Sequence, residues 1–157
     1  MLSILNLTKT NKLILATFAF LAVMASGSGR AHAATLNVSG GCTLPIAINS
    51  VNAGANQSGC TATGAGYGTG DTIILPAGTQ TLTADLPTIT EPVVIQGAGM
   101  SQTTIDGDGA YFGINARDAV TIKDLKVTVF RGAKIKATSN SVALDHIEVD
   151  GEDAISN

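Results

Sequence analysis

Asp106 and Asp108, two aspartates in an Asp-Gly-Asp-Gly run, are the first residues whose types and spacing could do chemistry. Carboxylates so placed could begin a Ca²⁺ site, but that ion takes roughly six or more oxygens, and with glycine beside each aspartate the run reads first as a turn. A second acidic group, Asp145, Asp150 and Asp153, accompanies His146. They could form an acidic strip beside the imidazole, yet in this setting the residues read as a solvated face. Arg117 and Arg131 lie in no recognisable catalytic context, and no Ser/His/Asp or Cys/His arrangement stands out. No catalytic residue, metal ligand or cofactor is therefore assigned from the sequence.

The elements that must position these residues begin with a segment made for export. Lys9 and Lys12 precede an apolar run from Leu13 to Ala25, which is followed by a Gly/Ser spacer and Ala31-His32-Ala33. The small-x-small ending has the form a signal peptidase needs, so cleavage is expected after Ala33, with a mature chain from Ala34. The run is well short of the roughly 20 residues of a membrane-spanning helix, so no membrane span is expected in the mature chain. Loss of Lys9, Lys12 and Arg30 from the 9 basic residues leaves six against 12 acidic, a net charge of −6. That balance argues against nucleic acid as a partner. In an exported chain, the pair Cys42 and Cys60 reads as a disulfide closing one local loop, worth about 3 kcal/mol in the chain-entropy model.

The mature part is rich in Gly, Thr and small aliphatics and poor in long helix formers, which favours strands joined by tight turns. One exception lies between the cysteines, where Leu44, Ala47, Ile48 and Val51 recur at helical spacing. Thr43 can cap that helix, Pro45 suits its first turn, and Gly54 can take the left-handed position at its end. The Gly/Thr stretch from Gly59 to Gly70 is expected as a loop; it lacks the strand, helix and Lys of a phosphate cradle. Short apolar runs follow: Thr72-Ile-Ile-Leu, Thr81-Leu-Thr, Pro92-Val-Val-Ile, Thr103-Thr-Ile and Val120-Thr-Ile.

These runs are organised by an internal repeat. Val120-Thr-Ile-Lys-Asp-Leu-Lys-Val-Thr and Val142-Ala-Leu-Asp-His-Ile-Glu-Val-Asp share the spacing V-x-[IL]-x-x-[LI]-x-V at an offset of 22. A period in the low twenties is that of a solenoid coil. Val120, Ile122, Leu125 and Val127 should point inward onto Val142, Leu144, Ile147 and Val149, and the double gap in each motif marks a bend. At the same offset Lys123 faces Asp145 and Lys126 faces Glu148, so opposite charges stack between strands. Ile73 and Leu75 align with Val93 and Ile95 at a spacing of twenty, whereas Val93 to Val120 is longer and puts Asp106 to Phe112 in an outward loop or extra corner.

Cys42-Thr-Leu-Pro-Ile-Ala-Ile-Asn-Ser-Val-Asn resembles the CSLREA motif, C-[ST]-L-R-E-A-I-x-x-A-N, which opens many exported right-handed β-helix proteins of the pectin-lyase-like class. Asp71-Thr-Ile-Ile-Leu-Pro-Ala-Gly-Thr, Leu86-Pro-Thr-Ile-Thr, Val93-Val-Ile-Gln-Gly-Ala-Gly and Thr103-Thr-Ile-Asp-Gly-Asp-Gly resemble its succession of first coils. Pro45-Ile46 stands where the motif has Arg-Glu, a departure that bears on the subfamily. The resemblance implies an all-β, right-handed, single-stranded parallel β-helix (solenoid) whose short N-terminal helix caps the apolar column. It also admits an enzyme, since lyases of this class use carboxylates to hold Ca²⁺ with an Arg as base and the hydrolases use Asp pairs, although no such motif matches here position by position.

The expected organisation is 1–33 signal peptide, 34–70 N-terminal cap with helix and disulfide loop, and 71–157 β-helix rungs. The C-terminal end, Ala154-Ile155-Ser156-Asn157, shows no cap, and is read as a fragment, a short protein completed by a partner or by end-to-end self-association, or a cap of unrecognised form. The expected function is a secreted or cell-surface noncatalytic module, structural or adhesive, contacting glycans or surface proteins. The alternatives are the N-terminal part of a polysaccharide lyase or glycoside hydrolase, and a truncated nonfunctional fragment.

Overall fold

The computed structural model describes residues 33–138, 142–150 and 155–156. The segment up to position 32, on which the signal-peptide expectation falls, and positions 139–141, 151–154 (with Asp153) and 157 lie outside the described residues. The chain forms β1 (Ala34–Asn37), α1 (Leu44–Ala53), β2 (Thr63–Gly64), β3 (Asp71–Ile74), β4 (Gly78–Thr81), β5 (Val93–Gln96), β6 (Thr103–Asp106), β7 (Ile114–Ala116), β8 (Val120–Thr128), β9 (Ile135–Ala137), β10 (Val142–Val149) and β11 (Ile155–Ser156). It is a parallel β-solenoid of about 3 turns with one short helix.

Three faces enclose one apolar column. The first carries β1, β3, β5 and the leading halves of β8 and β10, all parallel. The second carries β4, β6 and the trailing halves of β8 and β10. The third carries β7, β9 and β11, joined to the coil before them by a bridge between Ile89 and Ala116. Along β8 buried and half-buried positions alternate on either side of Asp124, so Val120, Ile122, Leu125 and Val127 all face the interior at 1% exposure or less.

The repeat sets the register of the last coils. Val120 pairs with Val142, Ile122 with Leu144, Leu125 with Ile147 and Val127 with Val149. The bend in each motif falls at Asp124 and His146, both with positive φ, which turns the strand from the first face to the second. Of the two charge pairs, Lys126 contacts Glu148 at 2.8 Å. Lys123 and Asp145 are opposite in register but make no ion pair; Asp145 instead meets His146 Nδ1 at 2.7 Å.

Two expectations are corrected. The spacing of twenty between the early coils is replaced by 22, since Asp71 pairs with Val93 and Ile73 with Ile95. The reason is that Asp71 occupies an interior position, where a reading of apolar residues skips it. The Gly59 to Gly70 stretch is not wholly loop, because β2 pairs antiparallel with β1 through Ala34 and Gly64.

At the first coil, α1 buries Leu44, Ala47, Ile48 and Val51 in the same core as Leu36 and Ile73. Gly54 ends the helix in the left-handed conformation, and its N–H donates to the Val51 carbonyl at 3.0 Å. Thr43 stands at the N-cap, but its side chain makes no capping hydrogen bond. Asn52 fixes the helix to the coil: its Nδ2 donates to the Thr88 carbonyl at 2.8 Å, and its Oδ1 accepts the Thr90 N–H at 2.9 Å. A disulfide joins Cys42 and Cys60, both buried, and ties the segment before the helix to the loop after it.

Candidate functional site

The residues singled out by type are spread over different corners of the coil. Asp106 Oδ1 accepts the Asp108 N–H at 2.9 Å, and Asp108 has φ 53°, so this pair builds the turn after β6. His146 and Asp145 sit on the first bend with their side chains 72% and 61% exposed. Asp150 joins Glu148 around Lys126, at 3.3 Å, on the second face. Arg117 begins the turn after β7, where its N–H donates to the Ile89 carbonyl at 2.9 Å. Among the described residues no three His, Cys, Asp or Glu side chains gather as a metal site.

The structure assembles a different group on the third face. Asp85, Leu86, Phe112, Gly113, Ile114, Asn115, Ala133 and Lys136 line a groove of about 470 Å³. They come from three successive turns and from the strands β7 and β9 that those turns feed. Phe112 is 50% exposed, an uncommon state for one of only 4 Phe in the chain. Its position is fixed from two sides. Asp85 Oδ1 accepts the Phe112 N–H at 2.9 Å, and the Arg131 guanidinium stacks 5.2 Å from the centre of its ring.

Gly113 makes the groove's floor feasible. A Cβ there would run into the Lys134 carbonyl, which accepts the Ile114 N–H at 2.8 Å to hold two coils together. Beyond it, Asn115 and Lys136 face each other in register on adjacent strands. Asn115 Nδ2 donates to Thr88 Oγ1 at 3.3 Å, while its Oδ1 is buried without a hydrogen-bond partner among the described residues. An apolar ring thus stands beside a carboxylate, an ammonium and an amide whose oxygen is shielded from solvent. This combination can receive a hydroxylated ligand that also has a flat apolar face.

Of the sequence-level candidates, only Arg131 contributes here, and it does so by supporting Phe112. The groove residues were missed because they are scattered along the chain at positions 85, 112, 115 and 136. One signal was present: Tyr111-Phe112 are adjacent aromatics in a glycine-flanked turn of a chain with 4% aromatic residues. A second groove, of about 600 Å³, lies between the helix start and β4 and is lined by Thr79, Thr81 and Thr83 without a charged side chain. No family model matches the chain, and neither does any curated protein or solved structure.

Proposed function

We propose that the chain is an exported, noncatalytic β-helix module, secreted or displayed at the cell surface, that holds glycans in the groove around Phe112. The exposed Phe112 ring, buttressed by Arg131 and flanked by Asp85, Asn115 and Lys136, carries this reading. Sugar rings present C–H faces that pack on an aromatic surface and hydroxyls that need donors and acceptors at the rim. Lys136 favours acidic sugars over neutral ones. The noncatalytic part is supported by the structural duties of the other candidates, Asp106 with Asp108 in a turn and His146 with Asp145 on an exposed bend. The resemblance of Cys42 to Asn52 to the CSLREA start, and of the whole to the pectin-lyase-like class, is part of the same proposal and agrees with the solenoid, the helix and the disulfide.

The test is a glycan array followed by titration calorimetry with the wild type and Phe112→Ala. Binding of an acidic oligosaccharide that Phe112→Ala weakens roughly tenfold, as expected for loss of about 1.4 kcal/mol or more, supports the reading. Absence of binding, or equal binding by both proteins, overturns the groove. Release of unsaturated products from polygalacturonate with Ca²⁺ overturns the noncatalytic assignment and favours the enzyme.

A further inference from the structure

Asp71 is the only acidic side chain among the described residues that is fully buried, at 1% exposure. It stands in the interior row that Val93, Val120 and Val142 fill in the following coils. Its Oδ1 accepts the N–H of Ala34 at 2.8 Å and that of Gly68 at 2.9 Å. No ion pair reaches it among the described residues, and Glu91 lines the same shallow cavity with a further negative charge. A buried carboxylate is costly unless a cation or several donors compensate it, and a valine in this row would carry no such cost.

Ala34 is the residue that cleavage after Ala33 would place first. Its nitrogen already points at the carboxylate, and the residue is 0% exposed, whereas Ala33 before it is exposed. We propose that Asp71 is the receptor for the α-ammonium group of Ala34 that processing creates, so that removal of the leader completes the first coil with a buried ion pair. This inference rests on the export reading. In the processing step water hydrolyses the Ala33–Ala34 peptide bond under a signal peptidase; its OH goes to the Ala33 carboxyl and its hydrogen to the Ala34 nitrogen, which takes a further proton from solvent. One amide donor becomes a group with three donors and a positive charge, which matches a desolvated carboxylate better than an amide does.

The geometry also orders the events. Ala34 is covered by the folded coil, so the peptidase must act before β1 docks between β2 and β3, and the product is then held by the charge the cut produced. Tyr67 and Glu91 are the other titratable groups facing this corner. Burial, and then the charge of Asp71, hold the Tyr67 hydroxyl protonated above its usual range despite an opposing hydrogen bond with Ser50.

The experiment uses the exported protein. Mass spectrometry of its N-terminus is expected to give Ala34, and a different first residue overturns the processing reading on which the inference stands. With Ala34 first, acetylation of the α-amine by an N-hydroxysuccinimide ester at neutral pH is expected to be slowed at least roughly tenfold against the urea-unfolded chain. A chain kept one residue longer, with Ala33 retained, is expected to lose stability and to label freely. Asp71→Asn should destabilise the Ala34-first protein more than the extended one. An amine that labels at the unfolded rate, with the extended chain equally stable, overturns the ion pair while leaving the cleavage site intact, even if Asp71→Asn fails to fold.

Discussion

Asp124 and His146 turn the same corner in successive coils, with left-handed backbones of φ 56° and 48°. The bend interrupts pairing between Lys123–Asp145 and Leu125–Ile147 and swings the strand from one face to the next. A β-branched residue pays for this conformation with a steric clash of Cβ against the following carbonyl, whereas Asp, Asn and Gly tolerate it. Asp124→Val is expected to cost about 2 kcal/mol and Asp124→Gly less than about 1 kcal/mol in urea unfolding. Equal costs would mean that the bend does not depend on the left-handed residue.

Burial along the column supplies the next expectation. Leu125 is fully enclosed at 0% exposure, while Leu144, an interior position of the following coil, is 37% exposed. Leu125→Ala should therefore lower stability by about 2–5 kcal/mol. Leu144→Ala should cost less than half as much, because solvent already reaches that site. Chemical denaturation of the two variants measures the difference, and a larger loss at Leu144 would contradict the column as described.

How much of this was legible in the chain depends on how each element is encoded. Val120 and Val142 could be aligned because β8 and β10 repeat the same apolar spacing around the same bend. The helix was legible because Pro45 and Gly54 bracket a single stripe. The early register was not, since Asp71 puts a carboxylate into a row that elsewhere holds valine, and its compensation by the Ala34 and Gly68 N–H groups exists only in three dimensions. The groove was hidden for a related reason. Asp85, Phe112 and Lys136 belong to three turns, and only the stacking of coils brings them to one place.

Gly113 serves the groove's architecture, and Phe112 the glycan contact proposed for it. An added Cβ meets backbone, the Lys134 carbonyl, which cannot swing away as a side chain would. Gly113→Ala is expected to cost about 1–3 kcal/mol by overpacking, with a matching fall in melting temperature. Phe112→Ala, at an exposed ring, should stay within about 1 kcal/mol of wild type in stability while showing the weakened glycan binding expected above. A neutral Gly113→Ala would show that the two coils can part at this point.

Alkaline pH provides a check on two shifted groups. The hydrogen bond to Glu148, then that to Asp150, raises the Lys126 ammonium above its ordinary 10.5. Burial, with a contribution from Asp71, raises Tyr67 above 10.0. Both groups bind their proton more tightly in the folded chain than in the unfolded one. Their contribution to stability is therefore fully present below the unfolded values and is lost as pH climbs through the folded ones. Melting temperature should fall as pH rises beyond about 10, the ordinary range of both groups, less steeply in Tyr67→Phe and in Lys126→Met. The Lys126 part, lying at the surface, should also shrink at about 1 M salt, where screening is short-ranged, whereas the Tyr67 part should persist. A double variant with the wild-type alkaline slope would show that neither group is linked to folding.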